Sequence, residues 1–73
     1  MQTYNLFRSR VQDIVCCAVP EDRAVPAFLT GSTWEFCGKL EQPRAAPVGF
    51  DADAATCGVR FNGFYLFQDY SGP

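Results

Sequence analysis

Residues 59–67 read VRFNGFYLF, and this aromatic stretch decides how the rest of the chain is interpreted. A mixture of aromatic and aliphatic residues favours a pleated, packed strand. In an extended chain, successive side chains point to opposite faces. One face would be apolar throughout, whereas the other begins with Arg60 and becomes apolar at Phe64 and Leu66. This pattern predicts a central strand that is covered along one face and at one end of the other.

The composition is that of a small folded domain. Of the 73 residues, 48% are hydrophobic, 15% are aromatic and 19% are charged. Disordered chains lack this much apolar material, so we expect an ordered fold. A chain of this size buries only about 60% of the surface that its unfolded form exposes, which leaves a narrow stability margin. We predict one domain over residues 1–68 and a flexible tail over residues 69–73.

The other segments predict further strands and little helix. In the first strand, Tyr4 and Leu6 share one face and Phe7 points to the other. A short polar connection to the next apolar run favours an antiparallel hairpin. The predicted fold is α+β, with an antiparallel sheet of about four strands (residues 3–8, 13–19, 33–40 and 59–67), one short helix (residues 52–57) and a helical turn (residues 27–30).

Residues 33–40 fit two structures. As a strand, they place Trp34 and Phe36 on one face. As a helix, they would begin with a capping box formed by Ser32 and Glu35. Helical spacing separates the two aromatic residues, so we prefer the strand.

Helix signals flank residues 52–57. Asp51 is a good N-cap, and Asp53 places negative charge near the positive end of the helix dipole. Gly58 fits the left-handed position that follows a helix. Gly63 is then interpreted as a bulge within the last strand or as a site of close backbone approach.

The predicted core joins the last strand to the third one. We expect Phe61, Tyr65 and Phe67 to pack with Trp34 and Phe36 and with the short helix.

Charge argues against nucleic acid and membrane as partners. The formal net charge is −2, and the basic residues form no stripe that could neutralise phosphates. No apolar run approaches the roughly 20 residues needed to span a bilayer. The first residues lack the basic and apolar regions of a secretory signal, so we expect a cytoplasmic protein. The basic residues are Arg8, Arg10, Arg23, Lys39, Arg44 and Arg60.

The four cysteines are predicted to be small core residues, not metal ligands. Structural zinc sites usually have ligands in close pairs such as Cys-x-x-Cys, whereas Cys16 and Cys17 are adjacent and Cys37 and Cys57 stand alone. On a strand, adjacent side chains point to opposite faces. A zinc-binding mini-domain built from these cysteines remains an alternative hypothesis.

The sequence predicts no catalytic residue and no cofactor. It contains no histidine, so neither a Ser-His nor a Cys-His pair can form. A small-ligand binder or an enzyme that uses a carboxylate and an arginine is an alternative hypothesis. The carboxylates that a paired-carboxylate mechanism could use are Glu21, Asp22, Glu35, Asp51 and Asp53.

The preferred functional hypothesis is a non-catalytic interaction domain. A single short helix can cover one face of the sheet but hardly two. Unless the turn at residues 27–30 or the proline-containing loop covers them, Phe64 and Leu66, with Arg60 beside them, would form an exposed apolar surface, and such surfaces usually mark interaction sites. The alternative is that both side chains are buried within the monomer. We expect either a homodimer or binding to another protein.

Overall fold

The computed structural model describes residues 3–41 and 47–70, which form four strands, one α-helix and one 3-10 turn. All strand pairs are antiparallel, so the predicted α+β fold is confirmed. The elements are β1 (Thr3–Ser9), β2 (Val15–Pro20), the 3-10 turn (Ala27–Thr30), β3 (Trp34–Glu41), α1 (Ala52–Asn62) and β4 (Tyr65–Gln68). The strand order in the sheet is β3-β1-β2-β4, so the first hairpin forms its centre.

The predicted hairpin of β1 and β2 is confirmed, and a side chain stabilises its turn. The hydroxyl of Ser9 accepts hydrogen bonds from the backbone N–H groups of Val11 and Gln12, at 3.1 and 3.0 Å. Local bonds of this kind favour a turn over continued strand. The resulting register pairs Phe7 with Cys17.

Strand β3 pairs with the outer side of β1, and the strand interpretation of this segment is confirmed. Its register shifts between Leu6 and Phe7, which pair with Gly38 and Phe36. Cys37 is therefore the extra residue of a β-bulge. Gly38 has φ of +112°, a conformation that glycine adopts without the steric cost of a side chain.

The sheet has two covered faces, which we call the helix face and the turn face after the elements that pack on them. On β1, Tyr4 and Leu6 belong to the helix face and Phe7 to the turn face, as predicted. The buried residues of the helix face are Tyr4, Cys16, Ala18, Leu40, Ala55 and Phe67. Those of the turn face are Cys17, Val19 and Leu29.

Phe50, just before α1, joins three aromatic rings on the helix face. Its ring centroid lies 5.7 Å from that of Tyr4, 5.4 Å from that of Tyr65 and 5.2 Å from that of Phe67. All three contacts are edge-to-face, the arrangement that the charge distribution of aromatic rings favours. Phe50 thereby fills the space between the sheet and the start of the helix.

The predicted helix end at Gly58 is wrong, because α1 continues to Asn62. Its start is as predicted, since the carboxylate of Asp51 accepts from the N–H groups of residues 53 and 54. The helix ends at Gly63, which has φ of +85° and donates its N–H to the carbonyl of Val59. Gly63 is therefore a helix cap and not a bulge.

Gly58 serves the packing of α1 against the sheet. A Cβ at this position would lie 3.1 Å from the carbonyl oxygen of Phe64 and 3.3 Å from the ring of Tyr65. The missing side chain therefore lets the helix lie close to β4. Ala55 and Val59, one helical turn apart, then face the core.

The prediction of a central strand over residues 59–67 is also wrong. The first part of that range is helical, and β4 lies at the edge of the sheet, paired with β2. The predicted core is only partly correct. Tyr65 and Phe67 do pack with the helix, but Phe61 is 78% exposed. Phe36 is 56% exposed and belongs with Phe7, on the other face.

The first two residues of the predicted flexible tail are attached to the fold. Asp69 is buried and donates its N–H to the carbonyl of Ile14 at 2.7 Å. Tyr70 donates its N–H to the carbonyl of Val48 at 2.8 Å. Residues 71–73 lie outside the described residues.

Phe61 and Phe67 were predicted to lie in one core, but replacing each with alanine should change the free energy of unfolding by different amounts. Phe67→Ala should lower the free energy of unfolding by about 3–5 kcal/mol, because it removes a buried ring and leaves a cavity. Phe61→Ala should change it by less than about 0.5 kcal/mol, since the ring is already exposed. Urea unfolding followed by circular dichroism measures both values. Equal destabilisation would contradict the exposed position of the Phe61 ring.

A second pair of variants tests the contact between β4 and the segment that precedes α1. Gly49 has φ of +105°, and a Cβ there would lie 1.9 Å from the carbonyl oxygen of Gln68. Gly49→Ala should therefore cost more than the roughly 1–3 kcal/mol of backbone strain alone.

The matched control is Gly31→Ala, where a Cβ meets nothing within 4 Å and the backbone is extended. This change should be neutral or stabilise by up to about 1 kcal/mol, because alanine restricts the unfolded chain. A tolerated Gly49→Ala would contradict the close approach to β4.

Candidate interaction surface

One row of side chains crosses all four strands on the turn face. The register places Phe36 beside Phe7, Phe7 beside Cys17, and Cys17 beside Leu66. The two ends of this row are open, since Phe36 is 56% exposed and Leu66 is 49% exposed, whereas Cys17 between them is fully buried at 0%. The row is therefore covered at its centre and accessible at both edges of the sheet.

The 3-10 turn provides the central cover. Leu29 is buried in one cluster with Cys17 and Val19. Phe28 lies above the same face, with its ring centroid 5.9 Å from that of Trp34 and 5.1 Å from that of Phe64. The turn therefore spans the middle of the sheet face and leaves its two margins uncovered.

Three apolar side chains form the margin on the β4 side. Phe64 and Leu66 alternate with Tyr65 and therefore both point to the turn face. Phe64 is half-buried under Phe28, which is itself 43% exposed. We call Phe28, Phe64 and Leu66 the β4-side patch. It includes both apolar residues that the sequence assigned to an interaction surface.

The structure does not bring Arg60 to this patch. Arg60 lies in the last turn of α1, and α1 packs on the helix face. Leu66 points to the opposite face of the sheet. Phe28, by contrast, belongs to the patch, although it was not predicted to do so from the sequence. The apolar pair Phe28-Leu29 was a signal for it, since a single short turn cannot bury two neighbouring large side chains on the same sheet.

An ion pair that was not predicted from the sequence lies on the helix face. The guanidinium of Arg8 donates to the carboxylate of Asp69 at 2.8 Å and also to the carbonyl of Asp13. The pKa of Arg8 is raised above its ordinary value, mainly because of the hydrogen bond to Asp69. The position of Arg8 in the sequence could have predicted an ion pair. This residue shares a strand face with Tyr4 and Leu6, so its charge needs a partner there.

The cysteines lie on both sides of the sheet. Cys16 belongs to the helix face and Cys17 to the turn face, which confirms that they point apart. Cys37 and Cys57 are exposed, so the prediction of core residues is wrong for these two, and all four cysteines are free thiols. Within residues 3–41 and 47–70, no three cysteine or acidic side chains converge as a metal site would require.

Burial changes the acidity of the two inner thiols. Desolvation raises the pKa of Cys17 from its ordinary value of 9.0 to about 12. Burial also raises the pKa of Cys16, although the nearby charge of Arg8 acts in the opposite direction. A thiol held in its neutral form is a poor nucleophile and a poor metal ligand, so both behave as small apolar core residues.

Three of the five carboxylates named for the alternative mechanism have local partners. Glu21 accepts from Lys39 at 3.1 Å, and Glu35 lies 3.6 Å from Arg10. Asp51 is occupied by the helix cap. All five carboxylates are exposed, and they lie in the turn after β2, on β3 and at the start of α1. The structure does not gather them around a common point.

Comparison with protein-family models, with curated proteins and with solved structures gave no significant match to this chain. The described part of the chain has no helix that is long and apolar enough to cross a membrane.

The pKa of Cys17 leads to a prediction about alkaline pH. In the unfolded chain this thiol ionises near pH 9, whereas in the folded protein it stays protonated until about pH 12. Its contribution to stability is therefore complete below pH 9 and is lost as the pH rises towards 12. The loss amounts to about 1.4 kcal/mol per pH unit over that interval.

Urea unfolding of the reduced protein at a series of alkaline pH values measures this effect. Cys17→Ala should show a shallower fall of unfolding free energy with pH than the wild type. Cys57→Ala, at an exposed thiol, should keep the wild-type dependence. Parallel curves for the wild type and Cys17→Ala would contradict the burial of Cys17.

Proposed function

We propose that this chain is a small non-catalytic domain that acts by binding protein, either a second copy of itself or another polypeptide. The observation that carries the proposal is the β4-side patch, where Phe28 and Leu66 are exposed next to half-buried Phe64. Apolar side chains that remain together on a surface gain free energy when a partner removes them from water. Leu66 lies on β4, Phe64 directly precedes that strand, and Phe28 packs on Phe64 from the 3-10 turn.

The opposite margin of the turn face extends the apolar surface. Phe36 is exposed on β3 and packs edge-to-face with Phe7, with ring centroids 5.7 Å apart. Aromatic residues supply much of the binding energy of protein interfaces because they bury a large area with few rotatable bonds. A partner that spans the 3-10 turn could contact both margins at once.

Charge supports a protein partner in preference to a nucleic acid. Arg8, Arg10 and Lys39 each lie within 4 Å of a carboxylate, which reduces the positive charge that they offer to phosphates. We further propose a cytoplasmic location. The exposed thiols of Cys37 and Cys57 would persist in a reducing compartment.

Leu66→Lys tests the patch directly. Leu66 contributes little to the core, so a charged residue there should leave the fold intact. Multi-angle light scattering over a range of concentrations gives the mass of the wild type. If the partner is a second copy, the variant should dissociate at least tenfold more readily, because the lysine would have to lose its hydration in the interface.

Phe61→Lys is the matched control, since it places the same charge on an exposed aromatic residue of α1, away from the turn face. It should leave self-association unchanged. If the wild type is monomeric, both variants are compared in a cross-linking capture from native cells. A protein captured by the wild type and by Phe61→Lys but lost with Leu66→Lys supports the proposal. Equal behaviour of the two variants in both assays contradicts it.

A further inference from the structure

We draw no further inference here: the strongest candidate, the side-chain cluster of Arg8, Cys16, Cys37 and Asp69 on the helix face, already uses its charges in the Arg8–Asp69 ion pair, and the described residues leave no buried polar side chain without a partner that could bind a ligand there.

Discussion

The burial of β2 on both faces is the constraint on which the rest of the structure depends. Cys16 and Ala18 lie under α1, whereas Cys17 and Val19 lie under the 3-10 turn. An inner strand buried on both faces shows a continuous apolar run instead of alternation. Cysteine and alanine are also small. They allow the helix and the turn to approach the sheet closely, and larger aromatic residues fill the space around them.

This arrangement explains why so small a chain can form a core at all. Among the described strands, β2 is the most completely buried, and one helix and one short turn are sufficient to cover its two faces. At the edges of the turn face, however, the 3-10 turn is too short to cover Phe36 and Leu66, and both side chains remain exposed. The apolar margins, on which the proposed binding role rests, are exposed because the 3-10 turn covers only the centre of this sheet face.

Much of the fold could be predicted from local pattern. The alternation of Tyr4, Leu6 and Phe7 placed them on the correct faces, and Asp51 marked the helix start through its capping chemistry. These features depend on residues close in sequence. The strand order and the double burial of β2 depend on contacts between distant segments, for which a single sequence gives little direct signal.

The misinterpretation of residues 59–67 has a specific physical cause. The aromatic residues in this range happen to fit a period of two, but the range contains a boundary at Gly63. Before that boundary, the spacing of Ala55 and Val59 fits a helix, and Gly58 continues it because its lack of a side chain permits close packing. Phe64 and Leu66 follow the boundary and lie on the turn face, whereas Arg60 precedes the boundary and lies on α1.

Amide hydrogen exchange measured by NMR tests the central claim most directly. If β2 is the doubly covered centre of the sheet, its amides should exchange most slowly, at the rate set by global unfolding. The amides of β3 and β4, at the two edges, should exchange faster through local opening. Slower exchange in β4 than in β2 would contradict this account, because it would make the aromatic strand the centre of the sheet.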